Sequence, residues 1–176
     1  MRVIAGTHRG ARLVAPRGAS TRPTSDRVRE SLFSILGDVS GLDVLDLFAG
    51  SGALAIEALS RGADSATLVD SSRAAVAVIR RNLSSLGLTA EVRGNSALDF
   101  LQTARSGARQ YDLVFLDPPY RHASSLGPSL STALAPVLKP AARVVSESDR
   151  RAPLELDLPL LDERRYGDTL IRIHGP

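Results

Sequence analysis

From Asp43 onward the chain alternates, at regular intervals, between short apolar runs and longer segments of helical periodicity, and no other feature limits its fold so tightly. Val44 to Phe48 has the character of a strand, Gly52 to Ser60 of a helix, Ser65 to Val69 of a strand and Ser72 to Leu86 of a helix. The pattern continues with Ala90 to Arg93 (strand), Ala97 to Ala104 (helix), Asp112 to Leu116 (strand), Leu126 to Leu138 (helix, interrupted near Pro136) and Ala142 to Glu147 (strand). Strands separated by helices of this length require right-handed crossovers, and so a parallel sheet covered on both faces. The predicted fold class is α/β, a doubly wound Rossmann-like sheet. The ending departs from the pattern. Leu154 to Leu161 and Thr169 to His174 read as strands with only the polar turn Asp162 to Asp168 between them, which predicts an antiparallel hairpin at the sheet edge.

Ahead of this repeat, Val3 to Ala5 and Arg12 to Ala15 read as short strands around Gly6 to Gly10, an N-terminal β-hairpin. A helix follows, with Ser25 or Asp26 as N-cap, an apolar stripe of Val28, Leu32, Ile35 and Leu36, and Gly37 as its stop. The expected organisation is one compact unit, with residues 1–40 a basic extension and 41–176 the catalytic domain. A chain of 176 residues has room for one such domain and not two, so recognition of any substrate must be built into the fold itself.

Charge separates the same two parts. Residues 1–29 hold seven arginines against the single acid Asp26, while the whole chain carries only +3, which leaves the remainder net acidic. An arginine-rich, acid-poor start also suits a transit peptide, but the strand pattern around Gly6 to Gly10 is not that of an amphipathic helix. Cysteine is absent, which removes disulfides, thiolate nucleophiles and cysteine zinc sites. His8, His122 and His174 lie far apart without ligand spacing, so they are expected at the surface and no metal is expected. The longest aliphatic run, Ala74 to Ile79, is too short to cross a bilayer, and the expected location is cytoplasmic.

Two loops carry chemistry. Asp46-Leu-Phe-Ala-Gly-Ser-Gly-Ala-Leu-Ala leaves the first strand of the repeat and enters a helix. Gly50 and Gly52 allow a tight turn whose amides approach a ligand closely, and Asp70, at the end of the next strand, stands where a carboxylate accepts both ribose hydroxyls. A dinucleotide would fit this pattern too. Asp46, however, would repel a pyrophosphate and attract an α-ammonium group, which favours S-adenosylmethionine. The candidate cofactor set is Asp46, Phe48, Gly50, Ser51, Gly52, Asp70 and Ser71, with Asn95 and Ser96 after the third strand for the adenine.

The second loop, Asp117-Pro118-Pro119-Tyr120, follows the fourth strand, which in a doubly wound sheet lies beside the first at the switch point where ligands bind. An exocyclic base amine is a poor nucleophile because its lone pair is delocalised into the ring. Hydrogen bonds from its two N–H groups to the Asp117 carboxylate and the Pro118 carbonyl would hold it pyramidal. Paired prolines remove competing donors, Asp117 can take the released proton, and Tyr120 offers a face on which an extruded base can stack.

These residues match the amino-methyltransferase motifs. Over nearly its whole length the sequence also resembles the bacterial small-subunit ribosomal RNA guanine-N2 methyltransferases, which are class I S-adenosylmethionine-dependent enzymes. The resemblance rests on Arg2-Val-Ile-Ala-Gly with Arg9-Gly, on Arg22-Pro-Thr-Ser-Asp-Arg-Val-Arg-Glu-Ser-Leu-Phe, on the Asp46 loop, on Glu57-Ala-Leu-Ser-Arg and on Asp117-Pro-Pro-Tyr. It implies a seven-stranded sheet, with the segment from Thr24 to Arg29 over the cofactor and base pocket and Thr24 a cofactor contact. It also implies, as substrate, ribosomal RNA within an assembled small subunit or its precursor. Charge near the site rim makes Arg9, Arg12, Arg22, Arg27, Arg29 and Arg121 the candidate RNA contacts. The chain is expected to be a monomer. A DNA adenine-N6 or cytosine-N4 methyltransferase would use the same tetrapeptide but normally carries a recognition domain that this chain lacks room for. Glutamine methylation would favour Asn at position 117. A silent RNA-binding assembly factor and a nicotinamide oxidoreductase are the readings from other classes.

Overall fold

The computed structural model describes residues 1–16, 25–118 and 123–176. The elements run α1 (Asp26–Leu36), β1 (Asp43–Leu47), α2 (Ala53–Ser60), β2 (Ser65–Val69), α3 (Arg73–Leu86), β3 (Glu91–Arg93), α4 (Ala97–Ser106), β4 (Tyr111–Leu116), α5 (Ala123–Leu134), β5 (Leu138–Asp149), β6 (Leu160–Tyr166) and β7 (Thr169–His174). A 3-10 turn at Ala135–Val137 closes α5, where the expected helix meets Pro136. Serine side chains start three helices: Ser25, Ser72 and Ser96 each accept an amide hydrogen three residues on.

The seven strands form one sheet in the order β3-β2-β1-β4-β5-β7-β6. Strands β1 to β5 are parallel, and β7 runs antiparallel between β5 and β6. As the sequence predicts, β4 lies against β1, with Val44 opposite Leu113 and Leu47 opposite Leu116. Winding reverses at this pair, which opens a crevice at the carboxyl ends of the strands.

Both faces are covered. On one, Val44, Phe115, Val145, Ile171 and Ile173 pack with Leu32, Phe33 and Leu36 of α1, with α2 and α3, and with Val3 and Leu13 of the N-terminal arm. On the other, Leu45, Leu47, Val114 and Leu116 pack with Phe100 and Leu101 of α4 and with Leu130 and Leu134 of α5. Each such side chain contributes ~1.5–3 kcal/mol on burial, so the arm and α1 are bound into the same core as the sheet.

The arm is a hairpin held by three backbone bonds, Val3 N to Ala11 O, Gly10 N to Val3 O and Leu13 N to Met1 O, with one bridge pair, Arg2 opposite Arg12. Glu57 fastens it to α2. The buried carboxylate accepts the amide hydrogens of Ile4 at 2.7 Å and Ala5 at 3.0 Å.

Four expectations are corrected. The buried stripe of α1 is Arg29, Leu32, Phe33 and Leu36, with Val28 and Ile35 only half-buried. Arg29 is fully buried beneath the arm, where it donates to the Arg2 carbonyl and to Asp26 and lies 3.8 Å from Glu57, so it cannot meet RNA from this position. The last hairpin is displaced. The run Asp162 to Tyr166, expected as a turn, lies in edge strand β6, and the connection is Gly167-Asp168, with Gly167 at φ 64°. Its charges are those of a protected edge, Glu163 pairing with Arg165 on its own strand and Arg172 on β7. His174, expected at the surface, is buried, sharing a hydrogen bond with the Leu158 carbonyl, and burial holds its imidazole below the usual range. Among the described residues, no helix is long and apolar enough to cross a membrane.

Candidate active site

The glycine loop leaves β1 in a conformation that costs energy. Phe48 has φ 66°, a left-handed setting that costs a non-glycine residue ~1–3 kcal/mol and is found where surrounding structure enforces it. Gly52 then caps α2 at φ 78°, and a Cβ there would lie 2.8 Å from the Leu68 side chain, so both backbone and packing require glycine. Ser51 has its carbonyl bound by the amide of buried Asn82 at 2.9 Å. The same Asn82 side chain exchanges two hydrogen bonds with the Val14 backbone, which ties the arm to the loop. Sequence reading missed this residue because one polar position on a long amphipathic helix carries no signal of its own.

Asp70 stands at the end of β2, as expected. One carboxylate oxygen accepts from Gly50 N and the other from Ser72 N, both at 2.8 Å. Each oxygen keeps a lone pair for a further donor, so the side chain is already aimed and still able to bind. Ser71 beside it is exposed. Asn95 is exposed in the loop after β3, whereas the Ser96 hydroxyl is engaged with Asp99 as the cap of α4.

Asp46 is buried at the end of β1 and accepts one amide hydrogen, from Ala55 in the first turn of α2, at 3.2 Å. Burial pushes its carboxyl up to about 7, against the pull of the Ala55 amide, and the charge of Asp70 adds to the rise. Asp117 follows β4 on the same face of the sheet. Its carboxyl is pushed well above the usual range by burial first, then by the charges of Glu147 and Asp46. Glu147 is the acid that sequence reading missed. It is buried near the carboxyl end of β5, one residue past the Leu116–Ser146 pair, and so directly across from Asp117. A signal existed, since Ser146-Glu147-Ser148 interrupts an apolar strand at the edge of the switch-point crevice.

The fold therefore brings Asp70, Asp46 and Asp117 to the carboxyl ends of three adjacent strands, and Pro118, next to Asp117, is buried. Pro119 and Tyr120 lie outside the described residues, as do Thr24, Arg22 and Arg121. Arg9, Arg12 and Arg27 are exposed, and Arg9 and Arg27 join Arg2 along a groove of about 380 Å³ between the arm and α1. Arg29 is separated from them by burial.

The family model described as conserved hypothetical protein 95 matches residues 1–175. The chain belongs to this family. Over 181 residues it is 35% identical to the "Ribosomal RNA small subunit methyltransferase D" of Haemophilus influenzae, covering 99% of this chain and 93% of the relative. The protein of the same name from Escherichia coli K12 is 45% identical over 123 residues, 69% of this chain and 61% of its own length. Among solved structures, the hypothetical protein TTHA0928 of Thermus thermophilus superposes with a TM-score of 0.87 at 30% identity, covering 100% of this chain and 99% of that one. A SAM-dependent methyltransferase of Agrobacterium tumefaciens shares the fold, with a TM-score of 0.68 at 20% identity over 89% of this chain and 63% of its own. The chain is thus a methyltransferase by family, with a seven-stranded mostly parallel sheet and an antiparallel C-terminal hairpin.

Proposed function

We propose that this protein transfers a methyl group from S-adenosylmethionine to the exocyclic N2 amine of a guanine in small-subunit ribosomal RNA. The observation that carries the reading is the pair of buried Asp46 and half-buried Asp117, at the carboxyl ends of adjacent central strands and on one sheet face, flanked by the glycine loop. Relatives named as small-subunit rRNA methyltransferases support the substrate.

The residues fit the methyl donor. A buried carboxylate held near neutrality favours a cation, so Asp46 would accept the donor's α-ammonium. Asp70 has one lone pair free on each oxygen for the ribose hydroxyls, and the loop from Phe48 to Gly52 would carry the donor across the N-terminus of α2, with Ser71, Asn95, Ser96 and Thr24 as further contacts. When bound, S-adenosylmethionine supplies an electrophilic methyl group on a sulfonium. The protein's part is orientation. Asp117 and the Pro118 carbonyl accept the two amine hydrogens and direct the nitrogen lone pair along the line of displacement. As positive charge develops on nitrogen, Asp117 stabilises it and takes the proton. Tyr120 stacks on the base, and Arg9, Arg12, Arg22, Arg27 and Arg121 hold phosphates around it.

The protein acts as a cytoplasmic monomer on the assembled subunit or its precursor, with residues 1–40 as the RNA-facing extension of a catalytic domain at 41–176. The test incubates purified protein and labelled S-adenosylmethionine with small subunits, naked rRNA and DNA in parallel. N2-methylguanosine in the digested rRNA supports the reading, and label confined to DNA overturns it. Absence of all incorporation would instead favour a non-catalytic assembly factor.

A further inference from the structure

We propose that Glu147 is the residue that selects guanine, by accepting the N1–H hydrogen while Asp117 and Pro118 hold the N2 amine. This rests on the reading above that the amine belongs to guanine. It adds a residue that neither the glycine loop nor the Asp-Pro-Pro-Tyr tetrapeptide contains.

The placement follows from the register. Leu116 pairs with Ser146, so the next residues on each strand, Asp117 and Glu147, are cross-strand neighbours on parallel strands spaced ~4.8 Å apart. Both lie on the face that carries Phe115 and Val145, and Glu147 is buried. Its antiparallel neighbour on β7 is Ile171, also buried, so an apolar side chain at 147 would extend the packing of that face. The fold instead sets a second carboxyl group against the first, and its charge is among the causes that hold the Asp117 carboxyl above the usual range.

Two adjacent carboxylates form a receptor made only of acceptors. Among base edges that carry an exocyclic amine, guanine alone presents neighbouring donors, N1–H beside N2–H. Adenine and cytosine place a ring-nitrogen lone pair beside their amine, and that lone pair would face the oxygens of Glu147. Glutamate is one methylene longer than aspartate and can reach past the amine to the ring nitrogen. A guanine edge therefore meets both side chains with a donor, and an adenine or cytosine edge sets a lone pair against one of them. Sites built to pair a substrate hydrogen reject analogues lacking it strongly, because buried groups are left unpaired.

The experiment uses small subunits reconstituted with rRNA in which the methylated guanosine is replaced by 2-aminopurine riboside. That analogue keeps the amine and has a bare lone pair at N1. The wild-type protein is expected to prefer guanine by about a hundredfold or more in kcat/KM. Glu147→Gln presents an amide that can turn its N–H toward the lone pair, so the preference should fall by about tenfold or more, with the rate on 2-aminopurine held or raised. Because the readout is a ratio within one preparation, a partly misfolded fraction cancels. Glu147→Asp, acceptor-only but one methylene short of the ring nitrogen, should lose rate on guanine and with it part of the preference, without the held or raised rate on 2-aminopurine expected of Glu147→Gln. Equal losses on both bases in Glu147→Gln, or a wild-type protein indifferent to the replacement, would overturn the assignment of Glu147 and leave the guanine reading intact. Label recovered on adenine or cytosine in the unmodified subunit would remove both.

Discussion

Asp43 and Asp46 stand three residues apart on the same strand and have opposite electrostatic fates. At the amino end of the sheet, Lys139 bridges Asp43 at 2.8 Å and Asp112 at 2.7 Å, and the Lys139 and Ser65 hydrogen bonds hold the Asp43 carboxyl below the usual range. At the carboxyl end, burial lifts Asp46 to about 7, and burial and neighbouring acids hold Asp117 well above the usual range as well. One end of the sheet is neutralised from within the chain. The other holds buried acids whose charge incoming donors would balance, and strain of that kind collects at working sites. A fold optimised for stability alone would place apolar or paired groups at both ends.

The sharpest way to break this contrast is at Asp117. Asp117→Ala should lower methyl incorporation by about 10²–10³-fold, the scale of losing one preorganised electrostatic contact in a water-poor site. Cofactor binding, followed by calorimetry, should stay close to wild type. Equal activity in the variant would remove the carboxyl end of the sheet as the reacting centre.

Asp46 gives the next largest effect, with a sign that depends on pH. Its carboxyl in the free protein is near 7, and a bound ammonium favours the ionised form. Affinity for S-adenosylmethionine should then rise by up to about tenfold per unit as pH increases toward 7, and fall again above about 8 as an α-amino group loses its proton. Asp46→Asn should bind at least about tenfold more weakly at pH 7 and keep only the alkaline limb. Stability runs the other way. The folded carboxyl titrates above its unfolded value, so the folded state binds the extra proton, and wild-type stability declines as pH rises from the ordinary carboxylate range to about 7. Without cofactor, Asp46→Asn should be more stable at pH 8 by on the order of 2 kcal/mol, a gap that closes as pH falls from about 7 to about 4. An unchanged melting temperature at pH 8 would show that Asp46 is already balanced.

Lys139→Met makes the reciprocal test at the paired end. It should cost ~1 kcal/mol or less, since the groups are partly open to solvent, and leave kcat and KM unchanged. Because Lys139 keeps Asp43 below its ordinary value, the wild-type advantage is present above the unfolded carboxylate range and is lost as pH falls through the folded one.

The parts legible in the sequence are those where one residue type has one physical use. Ser25 or Asp26 before an apolar stripe marked the start of α1, and Gly37 its end. Alternation of strands and helices implies the parallel sheet, and the β1–β4 adjacency follows from the winding rule, which sets Asp46 and Asp117 at neighbouring strand ends. What escaped were charged residues in buried or paired roles. Arg29 resembles its neighbours Arg22 and Arg27 until Glu57 is seen beneath it, and Asp162 to Tyr166 resembles a loop until β7 supplies partners for its charges. Glu147 escaped for the same reason. A charge in sequence reads as surface by default, and only the fold shows which charges are enclosed.

That distinction sets the smallest expected effect. Arg9 is exposed on the arm, lines the groove with Arg2 and Arg27, and is among the proposed phosphate contacts. If it neutralises one phosphate, Arg9→Ala should weaken RNA binding a few-fold and reduce the slope of log affinity against log salt by about one, equally across sequences. Arg29→Met supplies the control. With its guanidinium enclosed between Asp26, Glu57 and the Arg2 carbonyl, it should lower the melting temperature while leaving the salt slope of the folded protein unchanged. A fall in slope for Arg29→Met alone would mean that the arm lifts away when RNA binds and exposes what it covers, and the division between enclosed and working arginines would then hold only for the free protein.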